Sequence, residues 1–161
     1  MRGPVLASYN WDVPTTATPT PPAEPGLAAA GLFLEQLATA DFASLAVALE
    51  PDAHLRALLP RRFREWQGRE AVCDGFTTML GGMDAYTVLD ATVGLVGSRL
   101  QLAWRMRVSG GRLGPADFVV EQQAYADAGP TGRIQSISLV CSGFCQEHFP
   151  AIPPPSKGVT S

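Results

Sequence analysis

A run of polar residues interrupts an apolar segment in the second half of the chain. Glu121, Gln122 and Gln123 lie inside a strand-like run, 117–127, that is otherwise rich in apolar residues. Alternate residues of a strand share one face, so Glu121, Gln123 and Tyr125 are predicted to lie together. Burial disfavours the charged form of a carboxyl group. A Glu121 enclosed by apolar side chains would therefore act as an acid near neutral pH, with Gln123 or Tyr125 orienting a substrate oxygen.

Each candidate for chemistry also has a purely structural interpretation. The Glu121 carboxylate would equally pair with Arg105 or Arg107 on a neighbouring strand, or face water. His54 would reach the mouth of a pocket from a short first strand, but a single histidine is more often structural. Trp66 would either cover a pocket or pack beneath a helix, and packing is favoured.

The cysteine and histidine spacing does not form a recognisable metal site. Cys141, Cys145 and His148 make one loose group and Cys73 is distant in sequence, whereas structural zinc sites usually combine two close pairs. No glycine-rich phosphate loop follows a strand, and no serine nucleophile elbow is present in the sequence. We therefore expect neither a metal nor another cofactor.

Composition favours one packed domain and argues against two classes of partner. Of 161 residues, 46% are hydrophobic and 17% are charged, which is ample for a core. The net charge is −3, so we interpret the basic cluster Arg61-Arg62-Phe63-Arg64 as a solvated loop and expect no nucleic-acid binding. No run of about 18 apolar residues exists, so no membrane partner is expected. Three cysteines without an export signal predict free thiols and a cytoplasmic location.

The two ends of the chain differ in composition from its middle. Residues 1–25 are rich in Pro, Thr and Ala, and residues 150–161 include Pro153-Pro154-Pro155. Such stretches favour extended, solvated backbone. We predict disordered tails at 1–25 and 150–161 on either side of one domain at 26–149.

Helical periodicity dominates the first half of that domain. Apolar residues recur at helical spacing in three segments, at 27–37, 42–50 and 69–80. Asp41 is a candidate N-cap for the second helix, and Pro51 ends it. Three N-terminal helices are therefore predicted.

The second half of the domain changes to a period of two. Apolar and polar residues alternate from Leu100 to Val108, which is typical of a half-buried strand. Helices gathered early and strands late indicate an α+β domain rather than alternating α/β. The other predicted strands are 53–58, 85–96, 117–127 and 132–142.

Several short motifs resemble those of NTF2-like and SnoaL-like domains. The stretch 33–45 resembles their opening, in which a helix ends in a turn of small residues and Asp before a second short helix. Pro51-Asp52-Ala53-His54-Leu55 resembles their first strand, Gly68-Arg69-Glu70-Ala71-Val72 the start of their third helix, and Gly132-Arg133-Ile134 the hairpin before their last strand. The resemblance implies an NTF2-like cone, three helices packed on a curved, mainly antiparallel sheet around an apolar pocket.

The resemblance also indicates which catalytic sets are incomplete. Ketosteroid isomerases of this group use a tyrosine, a base and an oxyanion-hole acid, which would fall on Phe33, Ala57 and Glu121. The acidic set of limonene-epoxide hydrolases and the histidine pair of scytalone dehydratases have no counterpart. SnoaL-like polyketide cyclases use one acidic residue, a requirement that Glu121 would meet.

From this resemblance we expect a small cofactor-free protein that binds an apolar small molecule. Glu121 would be the acid or base in a cyclisation, isomerisation or dehydration; the alternative is a non-catalytic ligand-binding or protein-interaction module. A homodimer is expected through the outer sheet face that carries Arg105 and Arg107. The expected pocket lining is Phe33, Leu37, His54, Trp66, Leu102, Trp104, Met106, Gln123, Tyr125, Leu139 and Cys141.

Overall fold

The computed structural model describes residues 24–147, which contain two α-helices, two short 3-10 segments and seven strands. Most of the predicted N-terminal tail, all of the predicted C-terminal tail and His148 lie outside this range. The helices are α1 (Glu24–Ala38) and α2 (Arg69–Leu80), and the 3-10 segments are Ser44–Ala48 and Gly111–Leu113. The strands are β1 (Leu49–Leu59), β2 (Arg62–Gln67), β3 (Ala85–Val96), β4 (Arg99–Ser109), β5 (Phe118–Ala128), β6 (Ile134–Cys141) and β7 (Cys145–Gln146).

The strands form one curved sheet in the order β2-β1-β6-β5-β4-β3, and β7 pairs briefly with β5. β1 and β6 run parallel, and every other pair is antiparallel. Both helices contact the inner face of this sheet. The predicted α+β class and the mainly antiparallel sheet are therefore confirmed. Within residues 24–147, no helix has the length and apolar character needed to cross a lipid bilayer.

The prediction of three helices is wrong, because the second segment does not form an α-helix. It is reduced to one 3-10 segment, and β1 already begins at Leu49. Pro51 disfavours helical backbone at Glu50, the residue before it. The Asp41 carboxylate accepts hydrogen bonds from the Ser44 backbone N–H at 3.2 Å and the Ser44 hydroxyl at 2.7 Å. Asp41 thus caps a single short turn instead of starting a longer helix.

Most of the basic cluster predicted to be a loop belongs to strand β2, which begins at Arg62. A two-residue turn, Pro60-Arg61, joins β1 to β2, so that Leu59 pairs with Arg62. Proline suits the first position of such a turn, whereas the φ of 70° at Arg61 is the conformation that usually selects glycine. The turn sets the register of the hairpin and thereby the side chains of β2 that point inward. These inward side chains are Arg62, Arg64 and Trp66.

Three aromatic rings form the centre of the core between the helices and the sheet. Phe33 of α1 and Phe76 of α2 have ring centroids 5.3 Å apart, and Trp104 of β4 lies 6.1 Å and 6.4 Å from them. Edge-on and tilted contacts at these separations are favourable for aromatic pairs. All three side chains are buried. We call Phe33, Phe76 and Trp104 the aromatic core.

Helix α2 lies directly against Trp66. A Cβ atom at Gly75 would come within 2.8 Å of the indole, so glycine is what permits this close approach. The predicted packing of Trp66 beneath a helix is therefore confirmed.

Candidate functional site

A cavity of about 390 Å³ opens between the β1–β2 hairpin, the C-terminal part of α2 and the adjoining ends of β5 and β6. Its volume falls within the usual range for small-molecule sites. Aromatic rings of Trp66 and Phe144 form part of its wall. The lining residues are Leu59, Pro60, Arg62, Arg64, Trp66, Thr78, Met79, Leu80, Arg112, Val120, Gln122, Cys141, Gly143 and Phe144.

Gln122 brings a fully buried amide group to this cavity. The side chain is 1% exposed, and its Oε1 accepts a hydrogen bond of 2.8 Å from the indole N–H of Trp104. Within the described residues, Nε2 of Gln122 has no hydrogen-bond partner. Because an indole nitrogen can only donate, Trp104 fixes the amide with its oxygen towards the aromatic core. Gln122 thus brings an unpaired N–H donor to the wall of the cavity, and this donor destabilises the protein by about 1–3 kcal/mol while it stays unpaired.

The charged side chains around the cavity are all basic. Arg62, Arg64 and Arg112 line it, and none of the lining residues in the described chain is Asp or Glu. Arg112 is already engaged, since it donates to the backbone oxygens of Thr78 at 3.0 Å and Met79 at 2.7 Å and so satisfies the end of α2. For Arg62 and Arg64, the part of the chain that the structure describes provides no ion-pair or hydrogen-bond partner.

The predicted orientation of strand β5 is wrong by one residue. Across the β4–β5 ladder, buried Trp104 pairs with Gln122, and exposed Arg105 pairs with Glu121. The carboxylate of Glu121 lies 3.2 Å from the Arg105 guanidinium with 61% of its side chain exposed, as in the structural alternative above. Glu121 therefore does not face inward, as an acid–base role in the pocket would require. The β5 residues predicted to face inward, and found on the outer face, are Glu121, Gln123 and Tyr125.

His54 also lies on the outer face of the sheet, contrary to the prediction. Its Nε2 is 3.6 Å from a carboxylate oxygen of Glu65 on β2. The neighbouring positions Ala53 and Leu55 are buried, so the alternation of β1 turns His54 away from the cavity.

Most of the remaining predicted lining residues are packed in the core instead. Trp66 and Cys141 do line the cavity. The six core residues, each at most 3% exposed, are Phe33, Leu37, Leu102, Trp104, Met106 and Leu139.

The sequence prediction did not include Gln122 or the cavity arginines among the site residues. Arg62 and Arg64 alternate with Phe63 and Glu65 in β2. Both faces of β2 therefore carry a charged residue, so hydrophobic alternation does not decide which face of the strand points inward. The two-residue turn before β2 decides it, and the sequence pattern predicts only a loop there.

All three cysteines are free, as predicted. Cys73 is buried, and this burial raises the pKa of its thiol. Cys141 lines the cavity, whereas Cys145 is exposed and does not. Across residues 24–147, no group of three or more His, Cys, Asp or Glu side chains is arranged to hold a metal ion.

Several solved structures share this architecture at low sequence identity. A proposed polyketide cyclase from Xanthomonas campestris pv. campestris aligns with a TM-score of 0.58 and 14% identity over 73% of this chain and 90% of its own. An epoxide hydrolase from M. tuberculosis, described as LEH-like, gives 0.55 and 18% over 73% and 83%. An NTF2-like protein of unknown function from Cytophaga hutchinsonii gives 0.50 and 14% over 72% and 88%.

These likenesses identify the fold. No protein-family model matches the chain, and no curated protein matches it at a significant level. The structural neighbours include polyketide cyclase, epoxide hydrolase and NTF2-like proteins, all below 25% identity to this chain. The chain therefore has the NTF2-like, SnoaL-like fold that its motifs resembled. One fold of this kind hosts many functions, so the site must supply the functional argument.

Proposed function

We propose that this protein binds an apolar small molecule in the cavity between the β1–β2 hairpin and α2. The observation that carries the proposal is the unpaired amide Nε2 of Gln122, a buried donor at the wall of a cavity of about 390 Å³. Buried polar groups nearly always have partners, and a ligand oxygen would provide one here. Trp66 and Phe144 supply apolar surface for the body of the ligand.

A binding role is favoured over acid–base catalysis. Cyclisation, isomerisation and dehydration each need a group that moves a proton, usually Asp, Glu, His or Tyr. Among residues 24–147, no side chain of these four types lines the cavity. The neighbouring cyclase and epoxide hydrolase share the fold with this chain, which by itself transfers no reaction. The non-catalytic ligand-binding module is therefore the function that the site supports best.

Cys141 provides a direct test of this proposal. Alkylation by iodoacetamide, followed by mass spectrometry, compares Cys141 in the cavity with exposed Cys145 outside it. Methyl naphthoate is a suitable neutral probe because it combines an apolar ring system with a carbonyl acceptor. We expect it to slow alkylation of Cys141 and to leave Cys145 unchanged.

A calorimetric titration of methyl naphthoate completes this test. A saturable heat of binding together with selective protection of Cys141 supports the proposal. The same alkylation rates with and without the probe, and no heat of binding, would overturn it. Native mass spectrometry of protein purified from its own source would then identify the natural occupant.

A second proposal, self-association, is favoured by a row of apolar side chains on the outer sheet face. Leu58 pairs with Phe63 on one side and with Val140 on the other, and all three are more than half exposed. Contiguous exposed apolar surface commonly marks an interaction site. We propose that two copies associate through this outer face. The face continues across β5 and β4 to Arg105 and Arg107, where the family resemblance implies a dimer interface.

Light scattering after size exclusion tests the dimer. We expect a dimeric mass for the wild type and a monomeric mass for Leu58→Glu, which places charge in the centre of the row. Leu32→Glu, which makes the same change at an exposed leucine of helix α1 and not on the outer sheet face, is the matched control. A monomeric wild type at micromolar concentration would refute self-association without affecting the proposed cavity function.

The free cysteines fit a reducing compartment. Disulfides persist in oxidising compartments and are rare in the cytosol. We therefore propose a cytoplasmic location, which cell fractionation would test directly.

A further inference from the structure

The arginines at the cavity mouth differ in their partners from Arg99 on the outer side of the sheet. On the outer side of the sheet, Arg99 donates hydrogen bonds of 2.8 and 3.0 Å to Asp127, and this pairing raises the pKa of Arg99 and lowers that of Asp127. Arg62 and Arg64, at the mouth of the cavity, have no comparable partner in residues 24–147. Both are exposed and lie on the same face of β2. The cavity thus collects positive charge that the described protein does not neutralise.

A guanidinium group is well suited to one class of ligand group. Its planar set of N–H donors matches a carboxylate, often through two parallel hydrogen bonds. A cationic ligand would face like charges from Arg62 and Arg64, and a purely hydrocarbon ligand would leave both unpaired. The charge at the mouth therefore favours an anion.

A second and independent observation comes from the inner wall of the cavity. Gln122 is 1% exposed and, because Trp104 fixes its amide, it offers only N–H to a ligand. Gln122 lies on β5, where it pairs with Cys141 of β6. The strands β1 and β6 therefore lie between Gln122 and the exposed arginines of β2. The site therefore carries two kinds of donor, charged at the mouth and neutral inside, with the apolar wall between them.

We propose that the cavity takes an organic acid, an apolar ring-containing body with a carboxylate at Arg62 and Arg64 and a second oxygen at Nε2 of Gln122. This inference rests on the proposed function, since it specifies the chemical class of the molecule that the same cavity binds. It assigns recognition to Arg62, Arg64 and Gln122, whose side chains all line the cavity.

A matched pair of probes separates charge from apolar shape. Naphthoate is ionised at pH 7, whereas methyl naphthoate has the same ring system and no charge. Calorimetric titration should give naphthoate about tenfold tighter binding than the ester, because charge-assisted hydrogen bonds are stronger than neutral ones. In Arg62→Met and Arg64→Met, this preference should fall, and binding of the ester should stay as in the wild type.

Arg105→Met is the matched control for these variants. It removes one positive charge from an exposed strand position on the opposite face, so long-range attraction changes while the cavity does not. The preference for naphthoate should persist in this variant. A loss of preference as large as in Arg64→Met would show that net charge, and not contact at the mouth, selects the acid, and would overturn the inference.

The possible failures are distinguishable. Equal affinity of the wild type for the two probes would overturn the organic-acid assignment and leave the proposed binding function intact. Absence of binding by either probe would overturn the proposed function itself, and the inference with it.

Gln122→Glu tests the inner end of the same site. A glutamate retains an oxygen that can accept from Trp104, but it replaces the free N–H donor with a second acceptor. The probe for this end is 6-hydroxy-2-naphthoate, whose hydroxyl oxygen can accept from the amide while its carboxylate lies at the arginines. We expect this probe to bind about tenfold more weakly to the variant, with circular dichroism confirming that the variant is folded. Unchanged affinity would remove Gln122 from the site, and if the variant does not fold, the Arg62→Met and Arg64→Met titrations decide.

Discussion

The aromatic core and the cavity lie on the same inner face of one sheet, but they differ in whether their polar groups have hydrogen-bond partners. In the core, the only polar hydrogen of Trp104 is paired with Gln122 Oε1. At the cavity, Gln122 Nε2 and the guanidinium groups of Arg62 and Arg64 have no partner in the described chain. The boundary between the two regions passes through the single amide of Gln122. The comparison implies that substitutions in the core should change stability, whereas substitutions at the cavity should change binding.

The largest effect is expected for Phe76→Ala in the aromatic core. It removes a ring that contacts both Phe33 and Trp104 and leaves a void, so unfolding should become easier by about 3–5 kcal/mol. Urea denaturation measures this change, and Leu95→Ala at an exposed position of β3 should change the free energy of unfolding by roughly 0.5 kcal/mol or less. Comparable losses in the two variants would contradict the assignment of stability to the core.

Gln122→Met tests the boundary between the two regions. It leaves the indole N–H of buried Trp104 without an acceptor, a cost of about 1–3 kcal/mol, which is partly offset because the unpaired amide N–H is removed as well. Adding Trp104→Phe removes the stranded donor. In a double-mutant cycle of urea unfolding, the two substitutions together should therefore destabilise less than the sum of the single ones. Additive losses would mean that the hydrogen bond contributes nothing to the core.

Glu50 is a buried polar group whose carboxylate, unlike the amide nitrogen of Gln122, has hydrogen-bond partners. It is 3% exposed, and its Oε1 accepts from the Thr131 hydroxyl at 2.6 Å and the Thr131 backbone N–H at 2.9 Å. These hydrogen bonds lower its pKa below the usual 4.5. A carboxyl with a lowered folded-state pKa stabilises fully above its unfolded-state pKa and loses that contribution as the pH falls.

We therefore expect the thermal midpoint of Glu50→Gln to decline less steeply than that of the wild type below a pH of about 4.5. Thermal melts from neutral to acidic pH measure this slope. Glu65→Gln, at an exposed position of β2, is the control. Parallel acid slopes for the wild type and Glu50→Gln would show that another group governs acid sensitivity.

The smallest effect is expected for Glu121→Gln on the outer face. Exposed ion pairs contribute roughly 0–1 kcal/mol, so loss of the pair with Arg105 should scarcely change stability. Binding of methyl naphthoate should also be unchanged, because Glu121 does not line the cavity. Weaker binding in this variant would mean that the ligand site has been placed on the wrong face of β5.

The strands of the second half could be predicted well because their signals are local. β3 spans Ala85–Val96, the bounds predicted for it, and α2 ends at Leu80, before Gly81 and Gly82. The second helix did not form, and the reason is also local, since Pro51 disfavours helical backbone at the preceding residue. The prediction gave the apolar periodicity of this segment more weight than that restriction.

The face of β5 could not be assigned with the same certainty, because it depends on pairing between strands. A shift of one residue exchanges the two faces of a strand completely. The pattern did contain a signal, because Ala124 and Ala126 are apolar whereas Tyr125 and Asp127 alternate with them. The expectation that an acidic residue faces the pocket favours the opposite orientation. The position of Gln122 follows from its pairing with Trp104, which lies 18 residues away in the chain.

The two-residue turn between β1 and β2 has a genetic consequence. Since Pro60-Arg61 sets which residues of β2 face the cavity, insertion or deletion of one codon within β2 next to this turn would shift the strand by one position. The wall would then present Phe63 and Glu65 in place of Arg62 and Arg64, which exchanges a basic surface for an apolar and acidic one. A change in ligand preference at this site would thus need no substitution at all, and among related sequences the length of this hairpin is as informative as the identity of its residues.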